Sequence, residues 1–284
     1  MPIDVAAAVG APPAETSISW QHKDVQLYHL GLGAGTDPLD PAELRYTLED
    51  RLTVLPSFAT VAGGGMAMMD GLSAPGVDVD LMAVLHAGQR VEVHRPIPSG
   101  GTATQTSRVV AVHDKGKAAV LVLRVEAADA DGPLWTCDSE LYLRGEGGFG
   151  GERGPSGRLE LPDRAPDLTA DRPTTPGQAL LYRLSGDWNP LHSHPEFAAL
   201  AGFDRPILQG LCTYGIALKT VVDRVLDGAT DRVRSCATRF SGVVVPGETL
   251  RVRMWTSPGR VQLTVTAVER DDADVLTDTV VEHD

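Results

Sequence analysis

Apolar and polar positions alternate with a period of two in six stretches of this chain. Three lie early: residues 90–96 ("RVEVHRP"), 118–127 ("AAVLVLRVEA") and 134–143 ("LWTCDSELYL"). Three lie late: residues 233–240, 249–256 ("TLRVRMWT") and 261–269 ("VQLTVTAVE"). Successive side chains of a strand face opposite sides, so this alternation predicts β-strands with one buried face. A helical period appears in "LQGLCTYGIALKTVVDRVL", residues 208–226. There Leu211, Tyr214, Leu218, Val221, Val222 and Val225 fall on one stripe. A weaker helical pattern covers "LPSFATVAGGGMAMMDGL", residues 55–72, where the glycines lower the propensity.

One helix with several strands, met twice, predicts an internal duplication. The segment "LYHLGLGAG" (27–35) aligns with "LYRLSGDWN" (181–189), setting Tyr28 over Tyr182. In that frame Asp187 falls on Gly33, Asn189 on Gly35 and His192 on Pro38. The second copy carries a polar trio and the first is bare. Between the copies, glycines and prolines dominate and the periodicity vanishes, which reads as a linker. The expected organisation is a first α+β domain over 1–150, a linker over 151–177 and a second α+β domain over 178–284.

Composition narrows the function. A chain of 284 residues with 42% hydrophobic and 22% charged content can bury a sizeable core. A formal net charge of −13 argues against a general nucleic-acid binder. It leaves room for an anionic small ligand held by a local cation. No run of about 18 apolar residues suggests a membrane span, and the N-terminus lacks a signal-peptide pattern. The tail "TVVEHD" is not a peroxisomal Ser-Lys-Leu signal. Cys137, Cys212 and Cys236 are widely spaced, which fits a reducing compartment, the cytoplasm, without disulfides or structural zinc.

The stretch "DWNPLHSHPEF" (187–197) admits two readings. Asp and Asn cap turns and short helices, and Asn-Pro forms turns, so the stretch could be a capped turn. Alternatively, Asp187 and His192 face one cavity, a general acid/base pair within reach of one water, with Asn189 orienting that water. None of the three suits covalent nucleophilic catalysis, so addition or removal of water fits better than acyl-enzyme chemistry. Gly210 opens the expected helix, where first-turn N–H groups lack partners and can bind a developing oxyanion. A packing role explains that glycine equally well. His192-x-His194 has no further ligands for a metal. "GLGAG" (31–35) lacks full dinucleotide-loop spacing, and no nucleophile elbow occurs.

"YRLSGDWNPLHSHPEFA" followed by "GFDRPILQGLCTYG" resembles the hydratase 2 motif of the MaoC-like (R)-specific enoyl-CoA hydratases. "LPSFATV", "VLHAGQRVEVHRPIPSGG" and "VVAVHDKGKAAVLVLRVEA" resemble the N-terminal half of the two-domain members, as in the multifunctional peroxisomal β-oxidation enzymes. The resemblance implies a double hot-dog fold, two copies of a long helix wrapped by an antiparallel sheet. It implies that Asp187 and His192 are the catalytic pair, that Asn189 helps hold the water, and that the Gly210 N–H binds the thioester carbonyl. It places acyl-CoA contacts at His86, Ala87, Lys115 and Phe240. Ala87 stands where the family usually has glycine. Taken alone, Lys115 reads as an ordinary turn residue and Phe240 as core. The implied reaction is reversible syn hydration of a trans-2-enoyl-CoA to the (3R)-3-hydroxyacyl-CoA. No cofactor beyond the CoA thioester substrate is implied, and a homodimer is. A hot-dog thioesterase and a non-catalytic acyl-CoA-binding module are the alternatives. The bare first half would accommodate the acyl chain, with the small residues and methionines of 63–72 as lining, although a loosely packed core helix explains that segment equally well.

Overall fold

The computed structural model of the chain describes residues 3–65, 67–156 and 158–284. Five strands come from the first half: β1 (Ala14–Trp20), β2 (Val84–Val93), β3 (Gly101–Asp114), β4 (Ala118–Asp129) and β5 (Gly132–Arg144). Five come from the second: β6 (Leu168–Pro173), β7 (Val233–Phe240), β8 (Thr249–Ser257), β9 (Arg260–Ala267) and β10 (Ala273–His283). They form one antiparallel sheet in the order β1-β3-β4-β5-β2-β7-β10-β9-β8-β6. Read inward from each edge, the halves have the same strand order, and they join where β2 pairs with β7. The duplication expected from the short alignment is therefore written into the topology. Its anchors, Tyr28 and Tyr182, are both fully buried, with ring centroids 5.9 Å apart.

Alternation makes the strands. In β4 the side chains of Leu121, Leu123, Val125 and Ala127 are buried and the intervening ones are half-exposed. The two edge strands, "AETSISW" and "LTADRP", are short and polar, which discourages pairing with other chains. The second of them lies within 151–177, so that segment is not linker throughout. Leu168 to Pro173 pair with Met254 to Thr249 on β8. A polar edge strand carries only a weak alternating signal, which is why it reads as loop.

The second half has the expected long helix, Gly210–Val225, buried along most of its length. The first half does not. Its counterpart is split into a 3₁₀ turn (Pro56–Thr60), a turn over 61–65 and a short helix (Ala67–Leu72). Gly63, Gly64 and Gly65 all take positive φ, 75°, 103° and 66°, incompatible with a continuing helix. Met66 and the side chains of 67–69, including the methionines expected to line an acyl tunnel, lie outside the described residues.

The long helix carries one buried cation. Lys219 Nζ lies 2.8 Å from Glu43 Oε1 and 2.8 Å from Asp223 Oδ2. The Tyr46 hydroxyl donates to Asp223 Oδ1 at 2.7 Å. This network ties the short first-half helix Pro41–Leu44 and the turn after it to the second-half helix. Lys219→Met removes the nearest cation from two shielded carboxylates, leaving only Arg172 Nη2, 3.9 Å from Asp223 Oδ2. The expected loss is roughly 3 kcal/mol, read by denaturant unfolding.

His29 lies beside this network, fully buried. Its Nδ1 is 2.9 Å from the Tyr46 carbonyl oxygen, and the Leu55 N–H donates to its Nε2 at 3.2 Å. Burial pushes its pKa down to about 4, against an ordinary 6.5, while the Tyr46 carbonyl partly opposes the shift. Between these values the unfolded chain binds a proton that the folded chain refuses. The His29 contribution to stability is therefore complete above pH 6.5 and is lost as pH falls through about 4. It amounts to roughly 3 kcal/mol. Thermal unfolding of wild type and His29→Gln across that interval checks it, and the variant should show the flatter slope.

Candidate active site

The chain reaches the site through a short helix, Gln178–Tyr182, and a 3₁₀ turn, Arg183–Ser185. Gly186 ends the turn with φ 122°. A Cβ there would lie 2.0 Å from the Gly64 carbonyl oxygen, so only glycine permits this approach of the two backbones. The triple glycine of the first half thus forms a wall against the loop that presents Asp187.

After Gly186 the local hydrogen bonds are those of a capped turn. Asp187 Oδ1 accepts the Asn189 N–H at 3.2 Å. Asn189 Oδ1 accepts the Leu191 N–H at 3.0 Å and caps the 3₁₀ turn Pro190–His192. Both readings of the stretch meet here, because the capped turn is the device that aims His192. It also takes up one of the two acceptor positions of the Asn189 side-chain oxygen, leaving the other and the amide NH₂ of that exposed residue for other partners.

His192 Nδ1 lies 2.9 Å from the Ile207 carbonyl oxygen. A carbonyl only accepts, so Nδ1 carries the hydrogen, and in the neutral ring Nε2 is then the acceptor. That Nε2 faces Asp187 Oδ2 at 3.8 Å. Two acceptors at this spacing do not bond each other, but both are satisfied by one molecule donating two hydrogens between them. The side chains are 11% and 28% exposed, so such a molecule can reach them.

Ile207 leads directly to the second part of the site. The Leu208 N–H donates to Val244 O at 2.8 Å, and Gln209 Nε2 donates to Ala179 O at 3.2 Å, fixing the entry to the long helix. Gly210 is the first residue of that helix. A Cβ on it would lie 3.1 Å from the Phe240 ring. Phe240 ends β7 and packs against His86 on β2, centroids 4.8 Å apart at 59°. His86 is half-buried, but its Nε2 is shielded and has no hydrogen-bond partner among the described residues. Burial pushes its pKa down to about 4, opposed by contacts with Gly88 and Gln89, so the ring is neutral. Ala87 is the extra residue of a β-bulge, since pairing passes from His86–Leu141 to Gly88–Glu140. Its φ is not positive, so this bulge accepts a side chain.

The structure therefore gathers Gly210, Phe240, His86 and Ala87 around the centre of the sheet, and joins Asp187, Asn189 and His192 to them through Ile207. It does not bring Lys115 there. That residue sits in the β3–β4 turn, two to three strands from β2 in the sheet, with Nζ held by the carbonyls of Arg153 and Pro155. Sequence reasoning missed Ile207, Gly186 and the Gly63–Gly65 wall. The glycines were a legible signal, whereas a backbone carbonyl leaves none.

Two copies of one strand order, with a polar pair on one copy only, define a double hot-dog protein with a single equipped half. The MaoC like domain family matches residues 158–275, and the MFE-2 hydratase 2 N-terminal domain matches residues 18–145. Enoyl-CoA hydratase ChsH3 of Mycobacterium tuberculosis is 51% identical over 278 residues, covering 97% of each chain. A MaoC-like dehydratase from Phytophthora capsici superposes with a TM-score of 0.89 at 29% identity, over 99% of this chain and 98% of that one. A further M. tuberculosis protein, described as having a double hotdog fold, matches at a TM-score of 0.57. It is 14% identical over 96% of this chain and 94% of that one, a likeness of fold alone. The chain belongs to the MaoC-like enoyl-CoA hydratase 2 family.

Proposed function

We propose that Asp187, His192 and Gly210 carry out the lyase reaction of this family, reversible (R)-specific hydration of a trans-2-enoyl-CoA. The single observation that supports this most is the 3.8 Å separation of Nε2 and Oδ2, with the imidazole tautomer set by Ile207. Water donating to both acceptors is held and polarised. Its oxygen adds to C3 as one proton passes to the pair. The electron pair of the C2–C3 double bond moves toward the thioester, and negative charge develops on the carbonyl oxygen. The Gly210 N–H and the positive end of the 16-residue helix stabilise that charge. One such donor is worth roughly 3 kcal/mol. C2 then recovers a proton from the pair. Both new bonds form on the face that carries Asp187 and His192, giving syn addition and the (3R)-3-hydroxyacyl-CoA. Dehydration uses the same groups in reverse.

His86, Phe240 and the Ala87 bulge would flank the thioester, and the bare first half would receive the acyl chain. The reaction needs no cofactor, because the thioester supplies the electron sink. The same reading includes a homodimer, carried by the family resemblance. It also includes a cytoplasmic location, supported by three free and buried cysteines. Among the described residues no helix is long and apolar enough to cross a membrane. The test is incubation with crotonyl-CoA. Loss of enoyl absorbance without release of thiol supports hydration. Release of free thiol would instead identify a thioesterase, and binding without either change a non-catalytic module.

A further inference from the structure

The duplication that sets one equipped copy beside one bare copy also sets a second cleft opposite the first. The frame that places Tyr28 over Tyr182 carries Ile207 onto Thr53 and Gly210 onto Pro56. Pro56 opens its 3₁₀ turn as Gly210 opens the long helix. The same frame carries Pro173 onto Ser19, and the strand partners of these two residues are Thr249 and Thr102. Setting Thr249 over Thr102 fixes the frame of the strands that follow the helices. In it Phe240 falls on Val93, and Val233 falls on His86. The image of Ile207, Gly210, Phe240 and His86 is therefore Thr53, Pro56, Val93 and Val233. All four line one cavity of about 260 Å³.

The groups that hydration needs are missing from this image. Proline has no N–H to offer an oxyanion. Valine stands in place of the His86 imidazole, and Gly33 and Pro38 stand in place of Asp187 and His192. The space nevertheless persists. Interiors pack densely and voids cost stability, so a cleft without an occupant tends to be filled by side chains. Here Val93 is smaller than the Phe240 ring that packs against Gly210 in the other copy, and room is left. The walls are apolar: Val54, Val93, Ile97 and Val233 are each less than a tenth exposed. Thr230, Asp231 and Arg234 form a polar mouth. The Arg234 guanidinium is paired with the Asp284 carboxylate, so the mouth holds no strong draw for an anion.

We propose that this cleft is a second binding site, which takes the end of a straight aliphatic chain and leaves an uncharged polar head at the mouth. An apolar cavity of roughly 150 Å³ holds a benzene molecule, and this one is larger. The site is separate from the one that holds the thioester. His86 and Val93 stand near opposite ends of β2, and Phe240 and Val233 at opposite ends of β7. The two clefts thus lie at the two ends of the central strand pair, roughly 20 Å apart. Binding there uses none of Asp187, His192 and Gly210, so it stands apart from the hydratase reading.

The test titrates the whole protein, with its Ile, Leu and Val methyl groups labelled for NMR, against a series of straight-chain alcohols from 1-butanol to 1-decanol. The methyl signals of Val54, Val93, Ile97 and Val233 should shift and saturate, while those of Ile207 and Leu208 stay in place. Affinity should rise about fourfold for each methylene buried, then level off once the chain outgrows the cleft. Val93→Phe restores the ring that the other copy carries and fills the space. It should weaken 1-octanol binding at least ~10-fold, the equivalent of about two lost methylenes. Thr53→Phe fills the cleft from a half-buried position and should do the same, so the result holds even if Val93→Phe does not fold. Thermal unfolding shows which variants are folded. Shifts that never saturate, shifts centred on Ile207 and Leu208, or unchanged affinity in a folded variant would each overturn the assignment.

Discussion

Asp187→Asn and His192→Ala should each lower kcat for enoyl-CoA hydration at least ~100-fold, the range set by loss of general acid/base catalysis. Asp187→Asn keeps the shape of the loop, because the amide oxygen can still accept the Asn189 N–H that Oδ1 accepts now, at 3.2 Å. It removes the anion that faces Nε2 and substitutes a weaker base. His192→Ala removes the acceptor whose hydrogen bonding is fixed by Ile207. The double variant should lose little more than the worse single one, because two groups that hold one water act as a unit. Both variants should unfold near the wild-type temperature. Stopped assays on matched, folded protein check the prediction. Near-additive losses would mean that the two residues act on separate steps.

Gly186→Ala should be the most damaging single-methyl change at the site. Its φ of 122° is one that side-chain-bearing residues rarely adopt. The added Cβ would lie 2.0 Å from Gly64 O and 2.3 Å from Gly64 C, backbone atoms that cannot rotate away. Either the first-half wall or the Asp187 loop must move. The expected loss is roughly 3 kcal/mol or more, in the upper range for point substitutions, with most activity gone from the folded fraction. Gly202→Ala separates the two causes. Gly202 has φ 87° but nothing within 4 Å of its Cβ position. It should lose only about 1–2 kcal/mol, the strain without the clash. Denaturant unfolding of both variants gives the comparison.

The parts of the fold that were legible in the sequence are those with strong periodicity. The long helix announced itself through Leu211, Tyr214, Leu218, Val221 and Val222, and the strands through uninterrupted alternation. β3 and β10 were harder. β3 is rich in Thr, Ser and Gln, and β10 is broken by register shifts around Thr277 to Val280 and by Asp278 at φ 51°. The first-half helix failed for a tertiary reason. Gly63–Gly65 read as weak helix, but their positive φ angles serve the contact with Ser185 and Gly186.

At the site, side-chain chemistry carried further than position. Spacing alone left Asp187 and His192 open between a capped turn and an acid/base pair, and the resemblance of the whole motif is what implied the pair. What set the imidazole tautomer, the Ile207 carbonyl, was invisible, since every residue has one. Phe240 and His86 lie 154 residues apart in sequence and meet only because β2 and β7 join the halves. Lys115 shows the opposite case. Its turn is as expected, but its ammonium is held by the segment at 153–155, a contact that no local pattern encodes.

The measurement that bears most directly on the central claim is hydration of crotonyl-CoA in D₂O by the wild-type protein, with chiral analysis of the product and NMR of the C2 deuterium. One water held between Asp187 and His192 predicts the (3R)-alcohol with deuterium and hydroxyl added to the same face. A (3S)-alcohol, deuterium on the opposite face, or release of free CoA thiol without hydration would contradict it.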